Sequence, residues 1–496
     1  MKNYQQLKTI FKRLSHLTYI HRIMMWDEAV MMPIGAEESR TNAVATLSGL
    51  MHKTLTLKKV KKLIDNAKQE NLPDFWDKAN LALMEKEYLK AVCVSPKLTE
   101  ELTISRMASE QAWRKYREQN NWQGFLPYFE KTFRLAKEVA QRQAEVFHQD
   151  PYDVLIDQFS PGFNQKSIDP IFSGLKKSIP VLLQQIVERQ STDKLNIPKG
   201  PFAIEKQKAL GMKAMEALQF DFQHGRLDVS HHPFCSGIQT DVRITTRYRE
   251  DEFLSSLEGI CHETGHALYE QGLPRNWMDQ PVGQAGHSMT MHESQSLLVE
   301  MQVCRSLPFF QHLAPIAQNL FGQQDALVAE NLYKLSTRVK PGFIRVDADE
   351  VTYPLHIILR YETEKNLVNG SLSIQDLPAW WDEHMQKYLG VTTLGNNKNG
   401  VMQDVHWPAG LFGYFPAYTL GRLVGAQLFA TFIKLHPDFF DKAKTGDFHL
   451  LKKWLNENIH NHASSLPTDD LMKKVTGESL NPEYFINHIK QRYLGR

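Results

Sequence analysis

The chain lacks most features that would commit it to a special environment. Among its 496 residues only four are cysteines: Cys93, Cys235, Cys261 and Cys304. None falls in a C-x-x-C pair, so neither a disulfide framework nor a thiolate metal site is indicated. Free thiols in a reducing, cytoplasmic compartment are expected. No apolar run is long enough to span a bilayer, and no secretory signal is visible. Charges nearly cancel, with 58 basic against 56 acidic residues and a net charge of +2. Binding to nucleic acid or to a membrane surface is therefore not expected. Repeats and low-complexity tracts are missing too. Acidic side chains are absent from the stretch Met1–Trp26, which holds Lys2, Lys8, Lys12, Arg13 and Arg22. That composition suits a transit peptide. However, Leu7, Ile10, Phe11 and Leu14 recur at three and four, which favours an amphipathic first helix.

What remains is a globular composition, 42% hydrophobic and 23% charged, able to bury a sizeable core. Length alone suggests two to four domains, although large single units are common. Helical periodicity dominates, so the chain reads as mostly α. Lys97–Gln119, Pro127–Phe147, Asp169–Gln190 and Asp325–Val339 are rich in helix formers. Breaks are expected at Ser160–Phe163, Leu195–Phe202 and Asn396–Gly400. Short β-prone pieces near Asp241–Tyr248 suggest a small sheet edging a cleft.

The most informative run is His262-Glu263-Thr264-Gly265-His266. Histidines four apart share one side of a helix and can reach one metal ion, while the glutamate between them can take a proton from metal-activated water. Chance gives such a pattern in roughly one chain in twenty of this length, so the surroundings must decide. Asp251–Gly272 reads as the required helix, with Asp251 as N-cap and Gly272 then Pro274 as the stop. Gly265 should weaken that helix by about 1 kcal/mol relative to alanine. A close backbone approach would explain it. Cys261 points about 100° away from His262 and reads as packing. Two histidines leave a catalytic zinc one protein ligand short. Glu293, in the helical run MHESQSLLVEM, is the best third ligand, with Leu297 and Glu300 on its face. Glu270 and Glu300 compete with it, and His287 and His292 lie nearby.

Further clusters carry more polar chemistry than a helical scaffold needs. They are His232-Pro233-Phe234, Asp241–Thr245, Arg345–Glu350 and Gly400–Trp407, the last followed by Tyr414 and Tyr418. Taken singly, Asp241 and Asp347 read as caps or turn residues, Arg243 and Arg345 as structural arginines, and His406 as a buried histidine.

Together these motifs resemble one family, the thermostable carboxypeptidase Taq family of metallocarboxypeptidases. In order they are HPF at His232–Phe234, D-x-R-x-T at Asp241–Thr245, HExxH at His262–His266 and HES at His292–Ser294. I-R-x-x-A-D at Ile344–Asp349 and G-x-x-Q-D-x-H-W at Gly400–Trp407 complete the series. Trp26-Asp27 and Asp153–Ile186 are also similar to that family, so the resemblance covers nearly the whole chain. It departs after HESQS, where Leu297, Val299 and Cys304 replace the family's usual arginine, tryptophan and glycine. The loop Arg275–Thr290 is not a close match either.

The resemblance implies His262, His266 and Glu293 as metal ligands and Glu263 as general base and acid. His406 and Tyr418 are implied as groups stabilising the tetrahedral intermediate, with Tyr414 an alternative or a substrate contact. Arg243 and Arg345 are implied in holding the substrate's terminal carboxylate, which suits arginine's planar fork. It further implies an HExxH gluzincin-like, mostly helical fold over residues 1–496. That fold is a single catalytic unit whose two lobes flank a deep central groove, with a small β element at the cleft, and it is usually a homodimer. The expected activity is removal of C-terminal residues from peptides, with one zinc, or cobalt or manganese, per chain. An oligopeptidase or dipeptidyl carboxypeptidase is the rival within enzymes, and a non-catalytic peptide-binding scaffold the rival outside them.

Overall fold

Helix-forming stretches fold as helices in the computed structural model, which describes residues 1–72 and 74–496. The acid-free N-terminal stretch lies within the helix Lys2–Val30. It buries Leu7, Phe11 and Leu14 in a cluster with Val60, Leu63 and Ile64 of the helix Lys58–Ala67. Three of the long helices expected from composition appear as Pro96–Glu118, Trp122–Phe147 and Gln165–Gln190. The fourth is shorter than expected: a 3-10 turn at Asp325–Leu327 precedes a helix confined to Ala329–Ser336. Among the described residues no helix is long and apolar enough to cross a membrane.

The chain forms two compact units from alternating segments. The first comprises Met1–Ala91, Lys194–Ser336 and Val424–Leu480, and the second Val92–Asp193, Thr337–Leu423 and Asn481–Arg496. The first unit holds a three-stranded sheet, β1 (Gly225–Val229), β2 (Cys235–Ile238) and β3 (Asp241–Thr246), in the order β1-β3-β2. β1 runs parallel to β3 with Leu227 opposite Ile244, and β2 antiparallel with Cys235 opposite Ile244. Strand alternation turns Val242 and Ile244 inward, where they pack with Met215, Ile260 and Ala267. Ile260 and Ala267 belong to the helix Leu254–Gly272, so the sheet braces the helix that carries HETGH.

That helix starts two residues later than expected, at Leu254, with Phe253 rather than Asp251 at its N-cap. Arg249 holds the Asp251 carboxylate through Nε and Nη2 at 3.0 and 2.6 Å, which removes it from the helix end. The Glu252 carboxylate instead accepts from the Ser255 N–H at 3.0 Å. The helix bearing Glu293, Met289–Leu297, is capped by Ser288, whose hydroxyl accepts from the Met291 N–H at 3.2 Å. It continues as a π-helical segment, Leu298–Cys304. Leu297, Val299 and Cys304, the three departures from the family pattern, are all buried.

The second unit contains the helices Pro96–Glu118 and Trp122–Phe147, joined by three residues and bridged by Ser105 Oγ and Thr132 Oγ1 at 2.8 Å. Phe129 and Phe133 of the latter pack on Phe412, and Phe129 also on Trp407. This seats the Gly400–Trp407 motif. The buried helix Tyr353–Asn369 follows the Arg345–Glu350 run.

Candidate active site

His262 and His266 present their rings 4.9 Å apart, centroid to centroid. Both Nε2 atoms lie 3.9 Å from a single oxygen, Glu293 Oε2. One ligand atom from each of the three residues falls within 4.8 Å of the other two. Atoms ligating a tetrahedral zinc at about 2.0–2.1 Å stand about 3.4 Å apart, so a small inward turn of the side chains closes the set. Two imidazoles and one carboxylate leave a fourth position open. This nitrogen and oxygen donor set suits zinc, cobalt or manganese. His266 and Glu293 are buried, whereas 25% of the His262 side chain is exposed.

Gly265 makes this meeting possible. A Cβ there would stand 2.5 Å from Ser296 Cα and 2.7 Å from the Gln295 carbonyl oxygen. The two helix backbones therefore touch at Gly265, which brings Glu293 within reach of both histidines. On another side of the same helix, a Cβ at Gly425 would meet the Ser294 carbonyl oxygen at 2.9 Å.

The competing residues occupy the far side of the imidazoles. Glu300 Oε2 lies 2.8 Å from His262 Nδ1, and its Oε1 accepts from Arg305 Nη2 at 2.8 Å. Arg305 also donates to Glu258 at 2.9 Å. Behind His266 stands His292, with the two Nδ1 atoms 2.5 Å apart, and His292 Nε2 is 3.1 Å from Glu270 Oε1. His287 faces Glu87 at 3.4 Å. Glu270 was readable at four residues beyond His266, and Glu300 at seven beyond Glu293. Arg305 gave no signal in the sequence.

These surroundings set the charges. Burial lowers the His262 pKa, but the hydrogen bond and charge of Glu300, with Glu263 and Glu293, push it up to about 9. His266 is held well below its ordinary value by burial and by His292 and His262. Burial raises Glu263 to about 7; His262 opposes the rise, while Glu293 and Glu300 add to it. Glu263 Oε2 is buried with no hydrogen-bond partner among the described residues. A buried carboxylate oxygen left free in a polar site is placed to receive a proton.

The D-x-R-x-T and HPF motifs meet on the sheet. The Phe234 N–H donates to Thr245 Oγ1 at 3.0 Å, and the Thr245 N–H to the Phe234 carbonyl at 2.9 Å. Arg243 grips Asp241 through Nε and Nη2 at 2.9 and 2.8 Å and stacks 4.3 Å above Trp26. Tyr19 donates to the same aspartate at 2.6 Å. Asp241 is thus an ion-pair acceptor rather than a cap.

In the second unit Asp404 gathers two buried arginines. Arg345 donates to its Oδ1 through Nε and Nη2 at 3.0 and 2.8 Å, and Arg360 Nε to its Oδ2 at 2.6 Å. Arg345 Nη1 donates to the Tyr353 hydroxyl at 2.7 Å, and the Arg345 backbone N–H to Gln403 Oε1 at 2.8 Å. The two motifs are thereby joined through Gln403 and Asp404. These bonds use three of the five side-chain N–H groups of Arg345. Burial alone would raise Asp404, yet the two arginines hold it well below the usual carboxylate range. Arg360 belongs to no motif, and only its complete burial marks it.

His406 Nε2 lies 3.1 Å from the Tyr418 hydroxyl. Burial, reinforced by Arg345, pushes His406 down to about 3, so the ring is neutral at ordinary pH. Tyr414 packs against His406, Tyr418 and Phe159, at 5.4, 5.2 and 4.8 Å between ring centroids. The structure therefore brings together His406, Tyr414, Tyr418 and Arg345 in this unit, and His262, Glu263, His266 and Glu293 in the other.

The chain also matches known proteins along nearly its whole length. The model of the carboxypeptidase Taq (M32) metallopeptidase family matches residues 6–493. Thermostable carboxypeptidase 1 of Thermus thermophilus is 35% identical, the alignment covering 99% of this chain and 98% of the relative. Carboxypeptidase 1 of Bacillus subtilis is also 35% identical, over 98% and 96% of the two chains. Among solved structures, metallocarboxypeptidase 1 of Trypanosoma cruzi superposes with a TM-score of 0.97 at 40% identity, covering 99% of each chain. With the His-His-Glu group assembled and every motif spanned by these matches, the chain belongs to the carboxypeptidase Taq metallopeptidase family and is a metallocarboxypeptidase.

Proposed function

We propose that the protein is a zinc carboxypeptidase that removes single residues from the C-terminus of peptides. The observation that carries this reading is the pair of Nε2 atoms equidistant from Glu293 Oε2, with the unpartnered Glu263 Oε2 one residue along the same helix. In this reading His262, His266 and Glu293 hold one divalent ion. When bound, the ion polarises the scissile carbonyl and acidifies the attacking water. Glu263 Oε2 takes the water's proton and passes it to the leaving amine. A raised Glu263 pKa suits both halves of that transfer, and a nearby dication would bring it down from its ion-free value.

The Tyr418 hydroxyl is the donor offered to the charge developing on the carbonyl oxygen, and the neutral His406 supports it through the bond between its Nε2 and that hydroxyl. Their mutual hydrogen bond supports treating them as one device. Arg345 is the first candidate for the terminal carboxylate, because Asp404 and Tyr353 fix its plane and leave two N–H groups to donate. Arg243, already bidentate to Asp241, is the second candidate, and Tyr414 a substrate contact beside His406. The four cysteines, none of them in a C-x-x-C pair, fit a reducing, cytoplasmic setting. A homodimer rests on the family resemblance.

The test is incubation of zinc-loaded protein with a short N-blocked peptide, with products followed by mass spectrometry with and without a chelator. Stepwise, chelator-sensitive loss of single C-terminal residues is expected. Release of dipeptides or internal fragments would replace this reading with the oligopeptidase one. No cleavage with zinc, cobalt or manganese would overturn it.

A further inference from the structure

Both histidines of HETGH are backed by a second group, but in different ways. His262 has the Glu300 carboxylate directly on Nδ1 at 2.8 Å. Among the described residues no carboxylate stands on Nδ1 of His266. Its Nδ1 meets another imidazole nitrogen, His292 Nδ1, at 2.5 Å, and the carboxylate of Glu270 stands beyond, 3.1 Å from His292 Nε2. All three residues are buried. Glu270 sits one helical turn after His266, and His292 is inserted between them from the next helix. Tyr269 closes the edge of the His292 ring, its centroid 5.4 Å away.

Proton counting in this row allows one arrangement compatible with ligation. Two ring nitrogens this close accommodate a single proton between them, because two N–H groups or two lone pairs would repel. If the proton belongs to His292, the remaining proton of His266 sits on Nε2 and blocks the lone pair that faces Glu293. If it belongs to His266, Nε2 is free to ligate. His292 must then carry its own proton on Nε2, where Glu270 accepts it. Glu270 favours this second arrangement, since it draws the His292 proton to the far nitrogen and leaves His292 Nδ1 as an acceptor.

We propose that His292, oriented by Glu270, is a positioning residue that fixes His266 as the Nδ1–H tautomer and so presents its Nε2 lone pair to the metal. The pair performs through an intervening imidazole what Glu300 performs directly for His262. Partners of this kind are worth about 10–100-fold in metal affinity. The inference rests on the ligand set proposed above and assigns a role to the histidine of HES and to the glutamate that follows HETGH.

The test is the zinc dissociation constant of metal-stripped full-length protein, measured by competition with a chromophoric chelator, with the thermal midpoint of each apo variant recorded alongside. His292→Leu is expected to bind zinc about 10–100-fold more weakly. His292→Asn places an oxygen acceptor where Nδ1 stood and is expected to recover most of that loss. Glu270→Gln still accepts a hydrogen bond and is expected to cost only a few-fold. Affinity in His292→Leu within about twofold of wild type would overturn the proposal, as would Asn behaving no better than Leu, which would indicate mere packing. If His292→Leu does not fold, Glu270→Leu decides, because the imidazole remains in place. A loss of about tenfold is then expected, and an unchanged constant overturns the proposal. Failure of wild type itself to bind zinc, cobalt or manganese would overturn the ligand set and this inference together. Tight wild-type binding with indifferent variants would overturn the inference alone.

Discussion

At the scale of single residues, Gly265 shows how one missing side chain builds a site. Helix propensity argues against glycine inside HETGH by about 1 kcal/mol, and a sequence alone cannot show what offsets that. The offset is contact between backbones, with the place of a Cβ already taken by Ser296 and Gln295. Gly265→Ala should therefore destabilise the protein by about 1–3 kcal/mol, as overpacking does, and lower its metal occupancy. Calorimetry and metal analysis check this, and a stabilised variant would mean that propensity wins and the approach is looser. Glu263→Gln separates the roles of neighbours. Its side chain belongs to no ligand set, so metal content should stay at the wild-type level. Turnover should fall by about 10²–10⁴-fold, the usual contribution of a general base. Unchanged turnover would remove Glu263 from the mechanism.

At the scale of elements, legibility followed how local the cause was. The helix carrying HETGH was readable because spacing and stop signals lie within it. Its start was not, because Asp251 is claimed by Arg249, and N-cap chemistry alone does not reveal such a competitor. The helical run bearing Glu293 was readable, but its passage into a π segment at Leu298 was not, since π geometry has no composition of its own. The clamp at Glu350 was equally hidden: the partners of its carboxylate are more than 130 residues away along the chain. There the buried carboxylate faces His488 Nε2 at 3.0 Å and accepts from Arg492 Nη1 at 2.8 Å and the Tyr493 hydroxyl at 3.0 Å. Arg422 donates to the Glu350 carbonyl oxygen at 2.9 Å. The C-terminal helix Glu483–Ile489 and the π-helical segment Lys490–Leu494 after it are thereby tied to the loop that begins with Arg345. Burial would raise Glu350, but Arg492, His488 and Arg422 hold it well below its ordinary value. A depressed folded-state pKa means that stability is present above the unfolded value, about 4.3, and is lost as pH falls through the folded one. Glu350→Ala should cost about 3–5 kcal/mol at pH 7, because it strands buried positive charge. The gap between variant and wild type in urea unfolding should narrow progressively below about pH 4.3. A gap independent of pH would show that the clamp works by packing rather than charge.

At the scale of the whole molecule, the mostly helical class and the small sheet were legible from composition and periodicity, while the division into two units was not. Each unit takes three separate segments of chain, so no linker or change of composition marks a boundary. The motifs nevertheless sort cleanly. HPF, D-x-R-x-T, HETGH and HES fall in the first unit, and I-R-x-x-A-D and G-x-x-Q-D-x-H-W in the second. That sorting makes the proposed ligand set testable without turnover. All three ligands come from residues 262–293, and the groups behind them extend only to Arg305. A metal that binds the folded state stabilises it by about 2.7 kcal/mol at a concentration 100 times its dissociation constant. The contacts it adds are local to those helices. Zinc added to stripped protein should therefore slow amide hydrogen exchange most in Leu254–Gly272 and Met289–Cys304, and less in the equally buried helix Tyr353–Asn369 of the second unit. Exchange read by mass spectrometry on peptic fragments distinguishes these segments. Greatest slowing in Tyr353–Asn369 would place the ion among Arg345, His406 and their neighbours and remove His262, His266 and Glu293 from the ligand set. Slowing confined to the HETGH and HES helices would support His262, His266 and Glu293 as the ligands and place no ion among His406, Tyr418 and Arg345.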